Sequence, residues 1–161
     1  MRYCTVDSPI GELLLTGDGE TLQGLHMQGG PHPTRVGTGW TRSEEPFARV
    51  RAQLAEYFDG RRRAFDVPLK PAGSPFEVAV WGALVEIPYG ETLSYGELAS
   101  RIGRPGAPRA VGVANARNPI AVIIPCHRVI GADGSLTGFG GGLERKRLLL
   151  DLEAGVQALP V

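Results

Sequence analysis

The chain has 161 residues with 17 basic and 17 acidic side chains, so its formal net charge is zero and it is not a polycation. Apolar residues make up 42% and charged residues 21%, which is typical of a folded protein and not of a chain kept disordered by its charge. No apolar run approaches the roughly 18 residues of a membrane helix, and the polar N-terminus lacks the apolar core of a signal peptide. We therefore expect a cytoplasmic protein with no membrane contact.

The first part of the chain predicts an antiparallel sheet followed by a helix. Three β-rich runs separated by Asp, Pro and Gly turns lie at residues 3–6, 12–16 and 22–27. The Gly- and Pro-rich segment 28–43 predicts a loop. Apolar residues then recur at helical spacing from Phe47 to Phe58, and this helix is expected to end at Gly60. A further strand is predicted over Phe65–Leu69.

The segment Lys70–Gly73 predicts a domain boundary, because mainly β-rich runs precede it and helix signals follow it. The predicted domains are residues 1–73 and 74–161. The second domain opens with helix signals. In two places a serine is followed three residues later by a glutamate, the capping-box pattern that satisfies free amides at a helix start. These pairs are Ser74 with Glu77 and Ser94 with Glu97.

A second and a third helix are predicted close together, the second ending at Gly103 and the third running from Pro108 to Asn115. This is the helix-turn-helix pattern, although generic helical hairpins share it. The third helix lies in a stretch, residues 98–132, that has no acidic residue. Such local charge fits a nucleic-acid face, and a solvated basic surface explains it equally well. The arginines in the stretch are Arg101, Arg104, Arg109, Arg117 and Arg128.

The last part of the chain predicts a strand, a glycine-rich loop and a helix. The apolar run Ile120–Ile124 is interpreted as a strand that ends at Pro125 and Cys126. Residues 137–142 form the glycine-rich segment, and a final helix is predicted over 143–153. Its buried side is expected to consist of Leu148, Leu149, Leu150 and Leu152.

Cys126 is the candidate nucleophile. A thiol reacts as the thiolate, and the neighbouring His127 and Arg128 are groups that favour this form. Glu153 could orient His127 in a Cys-His-Glu triad, although spacing alone cannot show that they meet. The alternative is an inert buried cysteine, the commonest state of a single thiol.

No metal site is predicted. The two cysteines and three histidines form neither a C-x-x-C nor an H-x-x-x-H pair. A cluster of Cys4, His26 and His32 is the weakly supported alternative.

Several motifs in this order resemble those of the O6-alkylguanine-DNA alkyltransferase family. The similarity covers about residues 74–153, and the N-terminal Asp7–Gly11 is also similar to the start of bacterial members. Agreement at several separate motifs is far more specific than agreement at one. The motifs are Ile87–Thr92, Ser94–Tyr95, Arg109–Gly112, Asn118–Pro119, Pro125–Val129 and Thr137–Gly142.

The resemblance implies a repair reaction that each molecule performs once, without a cofactor. Cys126 would attack the alkyl carbon on O6 of a damaged guanine, with O4-alkylthymine as a second substrate, and would keep the alkyl group as a thioether. His127 would take the thiol proton through a water, and Glu153 would hold the imidazole in the required tautomer. Tyr95 would donate a hydrogen bond to the departing base. Asn118 would fix the turn before the active site.

The resemblance also implies a DNA partner and a fold. Double-stranded DNA would lie on the third helix, where Arg109 would enter the base stack of the extruded nucleotide. A monomer is expected, with cooperative assembly on DNA left open. The fold would be a ribonuclease H-like N-terminal α/β domain followed by a helical, winged helix-turn-helix catalytic domain. The remaining residues implied are Ala110, Gly112, Ala114 and Arg128 for DNA, and Val129, Phe139 and Gly140 for the base.

One residue departs from the family pattern, since Phe139 stands where many members have tyrosine. The ring contact to the base is then kept and the hydroxyl is lost. Two other functions remain open at this point: a DNA-binding module that senses alkyl lesions without chemistry, and a cysteine hydrolase that turns over.

Overall fold

A four-stranded sheet forms the first part of the protein in the computed structural model, which describes residues 1–137 and 139–155. The strands are β1 (Arg2–Val6), β2 (Leu13–Gly17), β3 (Leu22–Met27) and β4 (Thr41–Arg42). They lie in the order β3-β2-β1-β4. The three longer strands pair as the antiparallel meander that the sequence predicts. β4 pairs parallel with β1, so the predicted loop 28–43 contains a strand too short to show a pattern.

Helix α1 (Ala48–Phe58) packs against this sheet, after a 3₁₀ turn at Glu45–Phe47. Its buried side carries Val50, Leu54 and Tyr57 at the predicted helical spacing. The helix is confirmed, and the chain leaves it through Gly60, whose φ of 76° is readily available to glycine.

The strand predicted over residues 65–69 is wrong. Within it, Leu69 makes an isolated bridge to Leu22, flanked by bonds from the Leu22 amide to the Pro68 carbonyl and from the Lys70 amide to the Leu22 carbonyl. Pro68 has no amide hydrogen and cannot extend a ladder of hydrogen bonds.

Helices dominate the second part of the chain. They are α2 (Pro75–Val85), α3 (Tyr95–Arg101), α4 (Pro108–Ala116) and α5 (Leu143–Glu153). Both predicted capping boxes are confirmed, with the serine side chain and the glutamate side chain each accepting an amide hydrogen at the helix start. Among the described residues, no helix is long and apolar enough to cross a bilayer.

The predicted helix-turn-helix is α3 and α4, which pack on each other and on α2. The indole of Trp81 in α2 donates a hydrogen bond of 2.9 Å to the Ala114 carbonyl in α4, which fixes the two helices together. Two short parallel strands, β5 (Leu93–Ser94) and β6 (Val129–Ile130), tie the start of α3 to the segment after Cys126. Buried apolar side chains of both parts of the chain form one continuous core.

The run Ile120–Ile124 is a buried turn and not the predicted strand. Ile120 alone bridges Leu25, and the Ile124 amide bonds back to the Ile120 carbonyl at 3.0 Å. Val122 has a φ of 70°, which is unusual for a β-branched residue and incompatible with a strand. A short apolar run reports burial but cannot by itself distinguish a strand from a buried turn.

Candidate active site and nucleic-acid interface

Cys126 begins a 3₁₀ turn over Cys126–Arg128 that follows the buried turn at residues 120–124. Its amide donates to the Ile124 carbonyl at 2.8 Å, and the Arg128 amide donates to the Pro125 carbonyl at 3.0 Å. The chain is therefore curved at the thiol, not extended as a strand end would be. Cys126 is 5% exposed and His127 is fully buried.

Glu153, at the end of α5, joins the two residues that follow the cysteine. Its Oε2 lies 2.7 Å from Nε2 of His127. The guanidinium of Arg128 holds both carboxylate oxygens, with Nε 2.7 Å from Oε1 and Nη2 2.9 Å from Oε2. The remaining Nη1 of Arg128 donates to the Ile87 carbonyl at 2.6 Å. The structure thus brings together the His127–Glu153 pair whose contact the sequence could not show.

The charges in this group determine which nitrogen of His127 can accept a proton. Burial raises the pKa of the Glu153 carboxyl, but hydrogen bonds from His127 and Arg128 outweigh it and bring the net pKa far below its usual range. An ionised carboxylate needs a donor, so Nε2 of His127 carries the hydrogen. Burial lowers the pKa of His127 despite the opposing pull of Glu153, so the ring is neutral. Nδ1 then presents a lone pair, and no described residue donates to it.

The thiol of Cys126 is buried, and burial raises its pKa above the ordinary value. The Asn118 side chain and the Lys146 ammonium oppose this shift because both favour the thiolate. Burial thus keeps Cys126 protonated at rest, and the Asn118 side chain and the Lys146 ammonium make its ionisation easier.

Two asparagines hold the backbone around the thiol. Asn118 donates from Nδ2 to the Ile124 carbonyl at 2.7 Å and accepts from the Ile120 amide at 3.0 Å, which closes the turn before Cys126. Asn115, which sequence reasoning missed, lies on the buried face of α4 and donates from Nδ2 to the Cys126 carbonyl at 3.3 Å. Asn115 lies four residues after the apolar Val111, and this helical spacing was the signal that could have placed it on the buried face.

A cavity of about 330 Å³ contains Cys126. Its walls include Asn118, Phe139 and Gly140, so two of the predicted base-binding residues share a space with the thiol. The N-terminal part supplies a second wall, which includes His26, Met27, His32 and Thr34. This second wall was not predicted from the sequence. Among the described residues, no cluster of three His, Cys, Asp or Glu side chains could hold a metal.

The predicted base-binding residue Val129 is fully buried, and its carbonyl accepts a hydrogen bond from Nζ of Lys146. Lys146 was also missed, although its i, i+3, i+7 spacing with Leu149 and Glu153 places it on the buried face of α5. Its ammonium also donates to the Thr137 carbonyl at 2.8 Å. The prediction that leucines supply the buried side of α5 is therefore confirmed only in part. Leu149 is buried, and Leu148 and Leu152 pack against the core while partly exposed. The other buried positions of α5 are Lys146 and Glu153.

Tyr95 begins α3 and lies beside α4. Its hydroxyl donates to the Thr137 carbonyl at 3.0 Å. A Cβ added to Gly112 would lie 3.5 Å from the Tyr95 ring, which is an ordinary van der Waals contact, so the ring packs directly on α4 without requiring glycine there.

The exposed face of α4 carries Arg109 and Ala110, two of the residues that the resemblance assigns to DNA. Gly112 is half-buried against Tyr95. Ala114 is 2% exposed because α4 packs that side on α2, so its side chain is not on the exposed face. Arg128 is 6% exposed and bound to Glu153, so its assignment to a DNA surface is wrong. The other arginines of the acid-free stretch are exposed, namely Arg101, Arg104 and Arg117.

Comparison with known proteins gives matches along nearly the whole chain. Residues 1–71 match a family model described as the ribonuclease-like domain of 6-O-methylguanine DNA methyltransferase, and residues 75–155 match its DNA binding domain. A methylated-DNA–protein-cysteine methyltransferase of Methanosarcina acetivorans is 52% identical over 153 residues, covering 95% of this chain and 98% of the relative. Its counterpart in Mycolicibacterium paratuberculosis is 55% identical, covering 95% and 92%.

A solved structure resembles this fold closely. The crystal structure of Mycobacterium tuberculosis OGT in complex with DNA superposes with a TM-score of 0.91. It is 53% identical in sequence, and the match covers 97% of this chain and 94% of that chain.

Proposed function

The chain belongs to the 6-O-methylguanine DNA methyltransferase family, and from this premise we propose how its residues repair alkylated DNA. The protein transfers the alkyl group of O6-alkylguanine in DNA to its own Cys126. The Sγ–carbon bond forms as the carbon–O6 bond breaks, and guanine is restored. The thioether does not revert, so each molecule acts once. The balanced reaction requires no cofactor.

The His127–Glu153 pair supplies the base for this reaction. Glu153 is ionised and accepts the hydrogen on Nε2, which leaves the Nδ1 lone pair of His127 to take the Cys126 proton through a water. The neutral state of the buried imidazole supports this assignment. Lys146 stabilises the thiolate as it forms.

The damaged base is proposed to enter the cavity beside Cys126, against Phe139 and Gly140. The volume of the cavity, about 330 Å³, lies within the range of small-ligand sites, roughly 300–1,000 Å³. Carbonyls of Cys126 and Val129 would accept from the guanine amino group, and the Gly140 amide would donate to O6. Guanine departs carrying negative charge, which a hydrogen-bond donor stabilises, so Tyr95 is assigned as the donor to the departing base. The proton released by the thiol balances the one that neutral guanine takes up.

Double-stranded DNA is the proposed partner of the exposed face of α4. The alkylated atom lies inside the duplex, so the nucleotide has to be extruded, and Arg109 is exposed where it could fill the vacancy. The Tyr95 ring packs beside Gly112 of this helix. Local basic charge on a neutral protein suits weak, sequence-independent scanning.

We also propose the finer organisation of the protein. Residues 1–73 and 74–161 are assigned as two domains, and the family models, which meet between residues 71 and 75, support this division. The protein is proposed to act in the cytoplasm. It is also proposed to act as a monomer, because His127 as the proton acceptor, the Cys126 thiol and the cavity all come from one chain. Cooperative binding along DNA and repair of O4-alkylthymine are extensions of the same proposal.

The cavity shared by Cys126, Phe139 and Gly140 is the observation that carries this function. The test is a titration of an oligonucleotide containing O6-methylguanine. Restored guanine should level off at one per protein molecule. Cys126→Ala should bind the lesion and restore none, whereas Cys4→Ala, which removes the other buried thiol, should behave as the unchanged protein. Lesion binding without repair by the unchanged protein would indicate a sensor, and continued turnover would indicate a hydrolytic or other catalytic enzyme.

A further inference from the structure

Tyr57 brings the N-terminal part of the chain into contact with the proton-accepting pair. Its hydroxyl donates to Oε2 of Glu153 at 2.6 Å, and its side chain is fully buried. Tyr57 lies on α1 and Glu153 ends α5, so 96 residues separate the two partners. This contact is additional to the cysteine, histidine and glutamate that the family resemblance implies.

The hydroxyl adds a donor to an oxygen that already serves two others. Oε2 of Glu153 accepts from Nε2 of His127, Nη2 of Arg128 and the hydroxyl of Tyr57. Oε1 accepts from Nε of Arg128, with the Gly90 amide at 3.4 Å. Each donor draws charge from the carboxylate and fixes its plane. The state of Tyr57 is suited to this role, because burial and the nearby Glu153 charge raise its pKa well above 10, so the hydroxyl keeps its proton.

We propose that Tyr57 is a positioning residue for alkyl transfer, which orients the Glu153 carboxylate and sets how strongly it polarises His127. This inference rests on the proposed function, since it concerns the base used in that reaction. It also gives the N-terminal domain a chemical role that goes beyond lining the cavity.

The expected consequence follows from the balance of charges around His127. Glu153 favours the imidazolium, whereas Arg128 on the same turn and Lys146 on α5 disfavour it. Tyr89 lies near Glu153, but its hydroxyl points to the Leu152 carbonyl at 3.5 Å. Removing the Tyr57 hydroxyl leaves more charge on the carboxylate, so His127 protonates at a higher pH. A protonated His127 cannot accept the thiol proton.

The test is the pH dependence of single-turnover transfer from free O6-benzylguanine, a substrate that requires no DNA binding. Tyr57→Phe should move the acid limb of the rate profile upward by roughly half a pH unit. The variant keeps the aromatic ring, whose centroid lies 5.2 Å from that of Phe58 and 5.4 Å from that of Phe65. Tyr89→Phe is the matched control, because it removes a hydroxyl of the same aromatic cluster that bonds the Leu152 carbonyl instead of the carboxylate. The acid limb of this variant should not move.

A second variant keeps the inference testable if Tyr57→Phe fails to fold. Site-specific 3-fluorotyrosine at position 57 makes the hydroxyl a stronger donor, so the acid limb should move to lower pH. An acid limb that stays in place in the variants at position 57, or that moves equally in Tyr89→Phe, would overturn the role of Tyr57. If the unchanged protein accepts no alkyl group from the substrate, the proposed function itself fails.

Discussion

Nε2 of His127 lies 2.7 Å from Oε2 of Glu153, with both side chains buried and 26 positions apart in the chain. The same carboxylate neutralises Arg128, which is also buried. One acidic group therefore orients a base and compensates a cation in the interior. Losing it should affect both stability and chemistry, because a buried charge without a partner is costly.

Glu153→Gln keeps the shape of the side chain and removes its charge. We expect the free energy of unfolding to fall by about 3–5 kcal/mol, since Arg128 is left buried without a counter-charge. Urea unfolding measures this loss. Asp66→Asn is the control, because it breaks the exposed Arg49–Asp66 pair and should cost less than about 1 kcal/mol. Similar losses in the two variants would contradict the structural account of Glu153.

Stability should also fall as the pH falls from neutral. Burial lowers the pKa of His127 in the folded state, so the unfolded chain takes up a proton below about 6.5 that the folded chain refuses. The depressed pKa of Glu153 adds a second loss below about 4.3, where the unfolded carboxyl protonates first. His127→Gln should reduce the first part of this dependence, to which His26 also contributes because burial lowers its pKa, whereas His32→Gln, at an exposed position, should leave it unchanged. Urea unfolding at several pH values measures this dependence. A free energy of unfolding that stays constant between neutral pH and pH 5 in the unchanged protein would contradict the prediction.

The sequence predicted those parts of the fold that carry a period or a capping signal. The capping box at Ser94 places a helix start at its observed residue because the pattern describes a local hydrogen bond. The run 120–124 has no period, so its burial was evident and its turn was not. Arg128 was assigned to the surface because spacing cannot reveal a partner 25 positions away. The contact of Tyr57 with Glu153 and the N-terminal wall of the cavity both depend on packing between segments distant in the chain. The sequence carries no local signal for such packing.

Arg109→Ala tests the extrusion of the damaged nucleotide. Only duplex DNA requires a side chain to fill the stack, so repair of a duplex should slow by roughly ten-fold or more, while transfer from free O6-benzylguanine should stay unchanged. Arg101→Ala removes another exposed arginine, at the end of α3, and should slow duplex repair less. Equal losses of Arg109→Ala on duplex and free base would instead assign Arg109 to the fold or the cavity.

Lys146→Met tests the electrostatic support of the thiolate. The Lys146 ammonium lowers the pKa of Cys126 against the effect of burial, so its loss should shift thiol ionisation to higher pH. The rate of Cys126 alkylation by iodoacetamide against pH, measured in a Cys4→Ala background, reports this midpoint. Lys70→Met changes the other lysine, which is exposed, and serves as the control. An unchanged midpoint in Lys146→Met would mean that this lysine acts on the backbone carbonyls alone.

The most direct test of the account is the mass of the protein after reaction with an oligonucleotide containing O6-methylguanine. We expect every molecule to gain one methyl group and peptide mapping to place it on Cys126. Methyl on any other residue, or lesion loss while the protein mass stays unchanged, would contradict transfer to this thiol.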